Sequence, residues 1–245
     1  MKKLEKINFH KNDSRIQFND SEHIYTIDDS RNAISVTQLI QKFFPVFDKE
    51  YWAEKESQKT GVRAKDIIEK WNKLGKKARE LGTKLHNEIE NYYNEIEYVN
   101  SKELQKFLEF HKKYIEGNYS PYRTEWRIFD QEKLLAGTID IVYEKKNGEL
   151  FIFDWKRSKK IINSDGTIEK DNLFENGLNG LSHLSSTDYN KYCLQQNIYK
   201  YILEKNYDKK VSSMNLLILH PNYDSYHIVK VNDLPLETDY LISTI

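Results

Sequence analysis

The chain has 245 residues, enough for one large domain or two small ones around a buried core. Lys and Arg total 38, and Asp and Glu total 38, so overall charge carries no nucleic-acid signal and any such contact must come from local clustering. A single cysteine, Cys193, excludes an intrachain disulfide and a four-cysteine zinc or iron–sulfur site. It suits a reducing compartment, so a cytoplasmic location is expected. The start MKKLEKINFHKND has no apolar leader, and no segment approaches the ~20 apolar residues of a membrane span. A phosphate loop of the G-x-x-x-x-G-K-[ST] type is also absent, which argues against an ATP-driven motor.

In chain order, RIQFNDSEHIYTID (15–28) alternates around a polar NDSE turn and reads as a hairpin. SVTQLIQKFF (35–44) reads as a helix with Ser35 and Thr37 as cap candidates and Pro45 as its stop. Residues 50–94 read as helical with interruptions near Gly61 and Gly75, and 103–115 as a further helix. Strands are expected at about 123–130, 134–143 and 149–156. The polar stretch 157–187 is a long connection of a kind that is often functional or mobile. In the helix expected at 187–205, Leu194, Ile198, Tyr201 and Ile202 form one apolar stripe. Strands near 212–219 and 225–231 complete an α/β order with a mixed central sheet flanked by helices.

The stretch LAGTIDIVYEKKNGELFIFDWKRSKK (135–160) is a core-type hairpin that nevertheless carries Asp140, Asp154 and Lys156. Alternation puts Leu150, Ile152, Asp154 and Lys156 on one face, and Phe151, Phe153 and Trp155 on the other. A two-residue Asn147-Gly148 loop would send the two carboxylates to opposite faces. A three-residue loop, Lys146-Asn147-Gly148 with Gly148 left-handed, would set Asp140 across from Asp154. Carboxylates opposed at ~5 Å repel unless a cation lies between them, and oxygen ligands suit Mg²⁺ or Mn²⁺. The plainer alternative puts both acids at strand ends facing solvent, with Lys156 pairing one of them.

G-T-I-D, thirteen residues and then D-W-K resembles the PD-(D/E)XK nuclease signature. G-T-x-x-H-x-x-x-E around His86 and Q-x-x-x-Y at Gln195 and Tyr199 resemble the RecB-like exonuclease branch of that superfamily, as does Glu125 in R-T-E-W. The stand-alone arrangement, with S-V-T-x-L-I near residue 35, is similar to mitochondrial genome maintenance exonuclease and its phage relatives. The resemblance implies a restriction-endonuclease-like core in one nuclease domain over 1–245. Residues 1–120 would supply a hairpin and a helical N-terminal cover including the His86 helix, and 121–245 the sheet core with the metal site. It implies Asp140, Asp154 and Lys156 as catalytic residues, and Asp140, Asp154, His86 and the Trp155 carbonyl as ligands of Mg²⁺ or Mn²⁺. Gln195, Tyr199 and Arg157 would meet DNA, and Glu90 and Glu125 stand as secondary candidates. Arg157 departs from the Thr usual after D-W-K. No iron–sulfur cluster is expected, and a viral chain would act in the host-cell cytoplasm.

Residues 59–84 hold nine Lys or Arg against three acids, and K-R-S-K-K (156–160) adds a second basic run. Such runs are ordinarily solvated faces. Two of them near one metal site favour phosphate contact, and Trp52, Trp71, Tyr92 and Tyr93 could stack unpaired bases. The reading is a metal-dependent DNA exonuclease preferring single-stranded ends. A structure-dependent DNA endonuclease, or a non-catalytic nucleic-acid-binding subunit, are the alternatives.

Overall fold

The structure is a computed structural model describing residues 1–163, 165–172 and 174–245. It opens with a short helix α1 (Lys3–Ile7), followed by β1 (Ile16–Asn19), β2 (Ile24–Ile27) and β3 (Arg31–Ser35). The NDSE turn forms because the Asn19 side-chain oxygen accepts from the backbone N–H groups of Ser21 and Glu22. Ser35 caps α2 (Val36–Gln41) in a capping box with Gln38. Asp48 caps α3 (Lys49–Thr60), which ends at Gly61 with φ 73°. The next helix, α4 (Ala64–Tyr93), runs unbroken through Gly75, where an interruption was expected. One internal glycine costs a helix only about 1 kcal/mol, too little to break thirty residues.

Ser101 caps α5 (Lys102–Phe110), which continues as a π turn over His111–Ile115. There follow β4 (Ser120–Asp130), β5 (Leu135–Glu144), β6 (Leu150–Lys156), α6 (Asp188–Asn206), β7 (Val211–Ile218), β8 (His227–Lys230) and α7 (Pro235–Ser243). Three of these, α1, β3 and α7, have no counterpart in the sequence reading. The 157–187 connection is tied down by the bridges Ile162–Ile168 and Asn176–Ser185, and it buries Ile161, Ile162 and Leu181.

The sheet is mixed, in the order β1-β2-β3-β5-β6-β7-β8, with β4 also pairing β5. The N-terminal hairpin thus joins the sheet rather than the helical cover. One edge of β5 is occupied by β4 from Leu135 to Glu144, with the pairing skipping Asp140. The other edge is shared: β3 pairs parallel at Leu135 and Ala136, and β6 pairs antiparallel from Ile141 onward. Residues 137–140 face the gap between them.

Helix α6 packs on one face, where Leu194, Ile198 and Ile202 join Trp126, Ile139, Val142, Leu150 and Ile152. The C-terminal third of α4 and α5 cover the other, where Leu85, Ile89, Phe107 and Phe110 meet Ile141, Phe153 and Trp155. Burying a large aliphatic or aromatic side chain is worth ~1.5–3 kcal/mol, so these two cores hold the sheet between its helices. The first part of α4 leaves this body and packs on α3. Ala78, Leu81, Leu85 and Ile89 fall on one stripe of α4 by spacing, yet Ala78 is exposed and Leu81 half-buried, whereas Leu85 and Ile89 are buried. Among the described residues no helix is long and apolar enough to cross a membrane.

Candidate metal centre and active site

The β5–β6 turn decides where the acids stand. Lys145 N–H donates to Glu149 O, Gly148 N–H donates to Lys145 O, and Gly148 has φ 81°, so the loop is Lys146-Asn147-Gly148. The register Ile141–Phe153 and Val142–Ile152 puts Asp140 and Asp154 next in line. There the strands part. The Asp140 Oδ2 accepts the Trp155 N–H at 2.8 Å in place of a ladder bond, and β6 continues along β7 alone.

His86, on the last third of α4, reaches into this gap. Its Nε2 lies 3.1 Å from the Trp155 carbonyl, and its Nδ1 lies 3.4 Å from Glu125 Oε1 and 3.7 Å from Asp140 Oδ2. One ligand atom from each of His86, Glu125 and Asp140 falls within 4.8 Å of the others. Glu125 is therefore placed with the principal candidates rather than behind them. It lies between the ladder pairs Thr124–Ile141 and Trp126–Ile139, where the β4–β5 pairing skips Glu125 and Asp140, and has φ 43°, a left-handed conformation rare for a non-glycine residue inside a strand. Across this kink the side-chain alternation slips, because Ile139 packs into the α6 core and Ile141 into the α4–α5 core.

Asp154 is buried and turned toward Lys156, whose Nζ lies 2.5 Å from its Oδ2. The approach lies off the hydrogen-bonding direction, and that oxygen has no aligned donor among the described residues. Under the same ammonium lies the Tyr192 ring, 4.2 Å from Nζ to centroid. Tyr192 was not singled out from the sequence; its position one turn before Gln195 and Lys156's need for a partner on the α6 face were the available signals. Gln195 donates to the Tyr199 hydroxyl at 2.9 Å, and the Tyr199 ring packs against Gly137. A Cβ at Gly137 would stand 2.5 Å from Tyr199 Cε1, so the glycine of G-T-I-D is required by close approach.

Two residues lie elsewhere. Arg157 points to the opposite face and pairs with Glu103 at 2.9 Å, both being largely buried, so this structure does not present it as a DNA contact. Glu90, one turn after His86, is buried and paired with Lys2 at 2.5 Å. The aromatic residues divide as well. The Tyr93 hydroxyl is bound to His111 and Tyr143 in the core, and Tyr92 packs edge-on against Phe107, so neither is free to stack a base. Trp52 is exposed, and Trp71 packs near Phe47.

The electrostatics follow from these positions. Burial would lower the His86 pKa, but Asp140 and Glu125 outweigh it and push it up to about 9. Burial raises both Asp140 and Asp154 above the usual carboxylate range; Glu125 adds to the first and Asp140 to the second. Burial works against the Lys156 ammonium, yet Asp154, Tyr192 and Asp140 hold its pKa well above the ordinary value. A His86 pKa of about 9 favours the imidazolium at neutral pH, and its charge offsets that of the neighbouring Asp140 and Glu125 carboxylates. The donor set is carboxylate oxygen, imidazole nitrogen and carbonyl oxygen, a combination that could hold a divalent cation.

No protein-family model matches the chain, and no curated protein matches it. Among solved structures, one described as "Crystal structure of SSO0001" is similar over 87% of this chain and 74% of that chain, at 10% identity and a TM-score of 0.31. So weak a likeness carries no argument about function.

Proposed function

We propose that the chain is a divalent-metal-dependent deoxyribonuclease of the PD-(D/E)XK type, on a restriction-endonuclease-like core, and that it acts as an exonuclease preferring single-stranded ends. The observation that carries this reading is convergence. His86 from α4, Glu125 from β4, Asp140 from β5 and the Asp154–Lys156 pair from β6 meet where β6 leaves β5. Clusters of buried titratable groups with mutually shifted pKa values are characteristic of catalytic sites.

His86, Glu125, Asp140 and the Trp155 carbonyl would hold the ion, with Asp154 at its edge. A bound Mg²⁺ or Mn²⁺ supplies charge neutralisation at the scissile phosphate and a water of lowered pKa. Asp154 and Tyr192 favour the Lys156 ammonium, which would orient the attacking water by donation and offset charge on the phosphate. Asp154 holds that ammonium from one side and Tyr192 from beneath. Gln195 and Tyr199 border the gap on the α6 face. The basic run 59–84, which starts at the end of α3 and continues along α4, leads to His86 and suits a phosphate backbone.

The test is hydrolysis by the full chain, with Mg²⁺, Mn²⁺ or EDTA, of linear and circular DNA in single- and double-stranded form. Metal-dependent degradation of linear single strands, with circles spared, is expected. Comparable cutting of circular single strands would move the protein to the endonuclease class, and binding without hydrolysis would leave it a binding subunit.

A further inference from the structure

A cavity of about 660 Å³ opens directly beside Lys156. One wall is the α2–α3 connection, with Phe44 and Val46; the other is α6, with Lys191, Tyr192 and Gln195. The volume lies within the ordinary range of ~300–1,000 Å³ for sites that enclose a small organic molecule. Its chemistry is divided in a particular way. The walls are aromatic and aliphatic, while two ammonium groups, on Lys156 and Lys191, stand over the rings of Tyr192 and Phe44, at 4.2 and 4.9 Å from the ring centroids. Asp188 is the one acid among the lining residues described, leaving a net positive cavity.

We infer that this cavity is a subsite for one unpaired nucleotide of the substrate strand, next to the phosphate that is cut. The inference rests on the nuclease reading. Among the described residues Lys191 is held over Phe44, a core side chain only 4% exposed, by a cation–π contact, which is weak at a partly open site, so a phosphate can draw its ammonium away. A base can then enter the cavity over the rim at Val46, a residue 89% exposed, and lie against the outer edge of the Phe44 wall. Every base has a π face, so such a wall accepts any of them, and Gln195 and Asp188 offer polar atoms to the base edge. A base in a duplex would first have to leave its stack and its pair, whereas an unpaired strand carries no such penalty. The subsite thus names the substrate class as unpaired DNA, through a contact separate from the metal.

The experiment uses the full chain with Mg²⁺ or Mn²⁺ on end-labelled single-stranded oligonucleotides in which one abasic residue is walked along the strand. Degradation should pause at one fixed distance from the abasic residue, with that step slowed about tenfold, since base–aromatic stacking is lost there. Val46→Glu, at an exposed position that leaves the core untouched, and Lys191→Ala should each raise KM for single strands about five- to tenfold with kcat within twofold. Uniform degradation past the abasic residue, or unchanged KM in both variants, overturns the subsite and leaves the nuclease reading standing. Failure of any DNA to be hydrolysed overturns the nuclease reading and the subsite with it.

Discussion

Metal binding to this site should displace a proton from His86. In the structure both ring nitrogens face acceptors, Nε2 the Trp155 carbonyl and Nδ1 the carboxylates of Glu125 and Asp140, an arrangement that suits the imidazolium. Its pKa of about 9 lies two pH units above neutrality. Freeing the lone pair at pH 7 therefore costs about 2.7 kcal/mol of apparent binding free energy. Apparent affinity for Mn²⁺ should rise close to tenfold per pH unit from pH 7 to pH 9 and then level off. Titration calorimetry in buffers of different ionisation enthalpy should report release of about one proton per ion at pH 7, falling toward none near pH 10. The His86→Gln variant should bind more weakly and lose the pH dependence over that window. Wild-type affinity that stays flat between pH 7 and 9, or calorimetry without proton release, would refute the idea that the imidazolium occupies the cation's place.

In EDTA, the raised His86 pKa contributes stability that is fully present below pH 6.5 and is lost as pH rises through 9, so Tm should fall over that range. Asp154→Asn and Lys156→Met should each reduce hydrolysis by roughly 10²–10³-fold. Each also leaves a buried partner unpaired, so the double variant should melt above either single one; equal melting temperatures would count against the pair. Gly137→Ala drives a Cβ into the Tyr199 ring and should cost about 1–3 kcal/mol in denaturant unfolding, and an unchanged midpoint would contradict the close approach. Arg157→Ala should leave single-stranded DNA affinity within twofold while lowering stability, because its partner is Glu103; a large loss of affinity would restore it as a DNA contact. Asp140→Ala should be less stable than Asp140→Asn by about 1–3 kcal/mol, since only Asn still accepts the buried Trp155 N–H.

The parts of the structure that were legible in the sequence are those governed by local chemistry. Asn147-Gly148, with alternation on both sides, contained the hairpin, and a glycine able to adopt φ 81° contained the three-residue loop. The α6 stripe and the Ser35 cap were equally local. What escaped depends on partners far along the chain. Arg157 finds Glu103 on a helix 54 positions away, and a run of basic residues does not reveal which of them is already paired. Ala78 continues the heptad-like spacing of Leu85 and Ile89, but periodicity does not tell where a long helix leaves the body of the protein. Strand β3 pairs with β5 through only two residues, too few for a period to register. Glu125 stands out only through its place beside His86 and Asp140, which depends on long-range packing and a backbone φ of 43° that no side-chain pattern encodes.

The location of the site follows from a conflict in the sheet. A central strand normally satisfies both edges of its backbone with neighbours, because an unpaired buried peptide group is costly. Along β5, β3 stops at Ala136 and β6 pairs only from Ile141, so residues 137–140 border a gap within the sheet. Side chains fill it: Asp140 takes the Trp155 N–H, His86 meets the Trp155 carbonyl, Thr138 bonds to the Tyr25 hydroxyl, and the Tyr199 ring lies on Gly137. Two of the groups that repair the backbone, Asp140 and His86, present carboxylate and imidazole to the space beside the Lys156 ammonium. A fully paired sheet would need none of them and would leave no room for a phosphate. The open stretch of β5 is thus one feature with two effects, a structural cost borne by Asp140 and His86 and a polar cleft into which those residues converge.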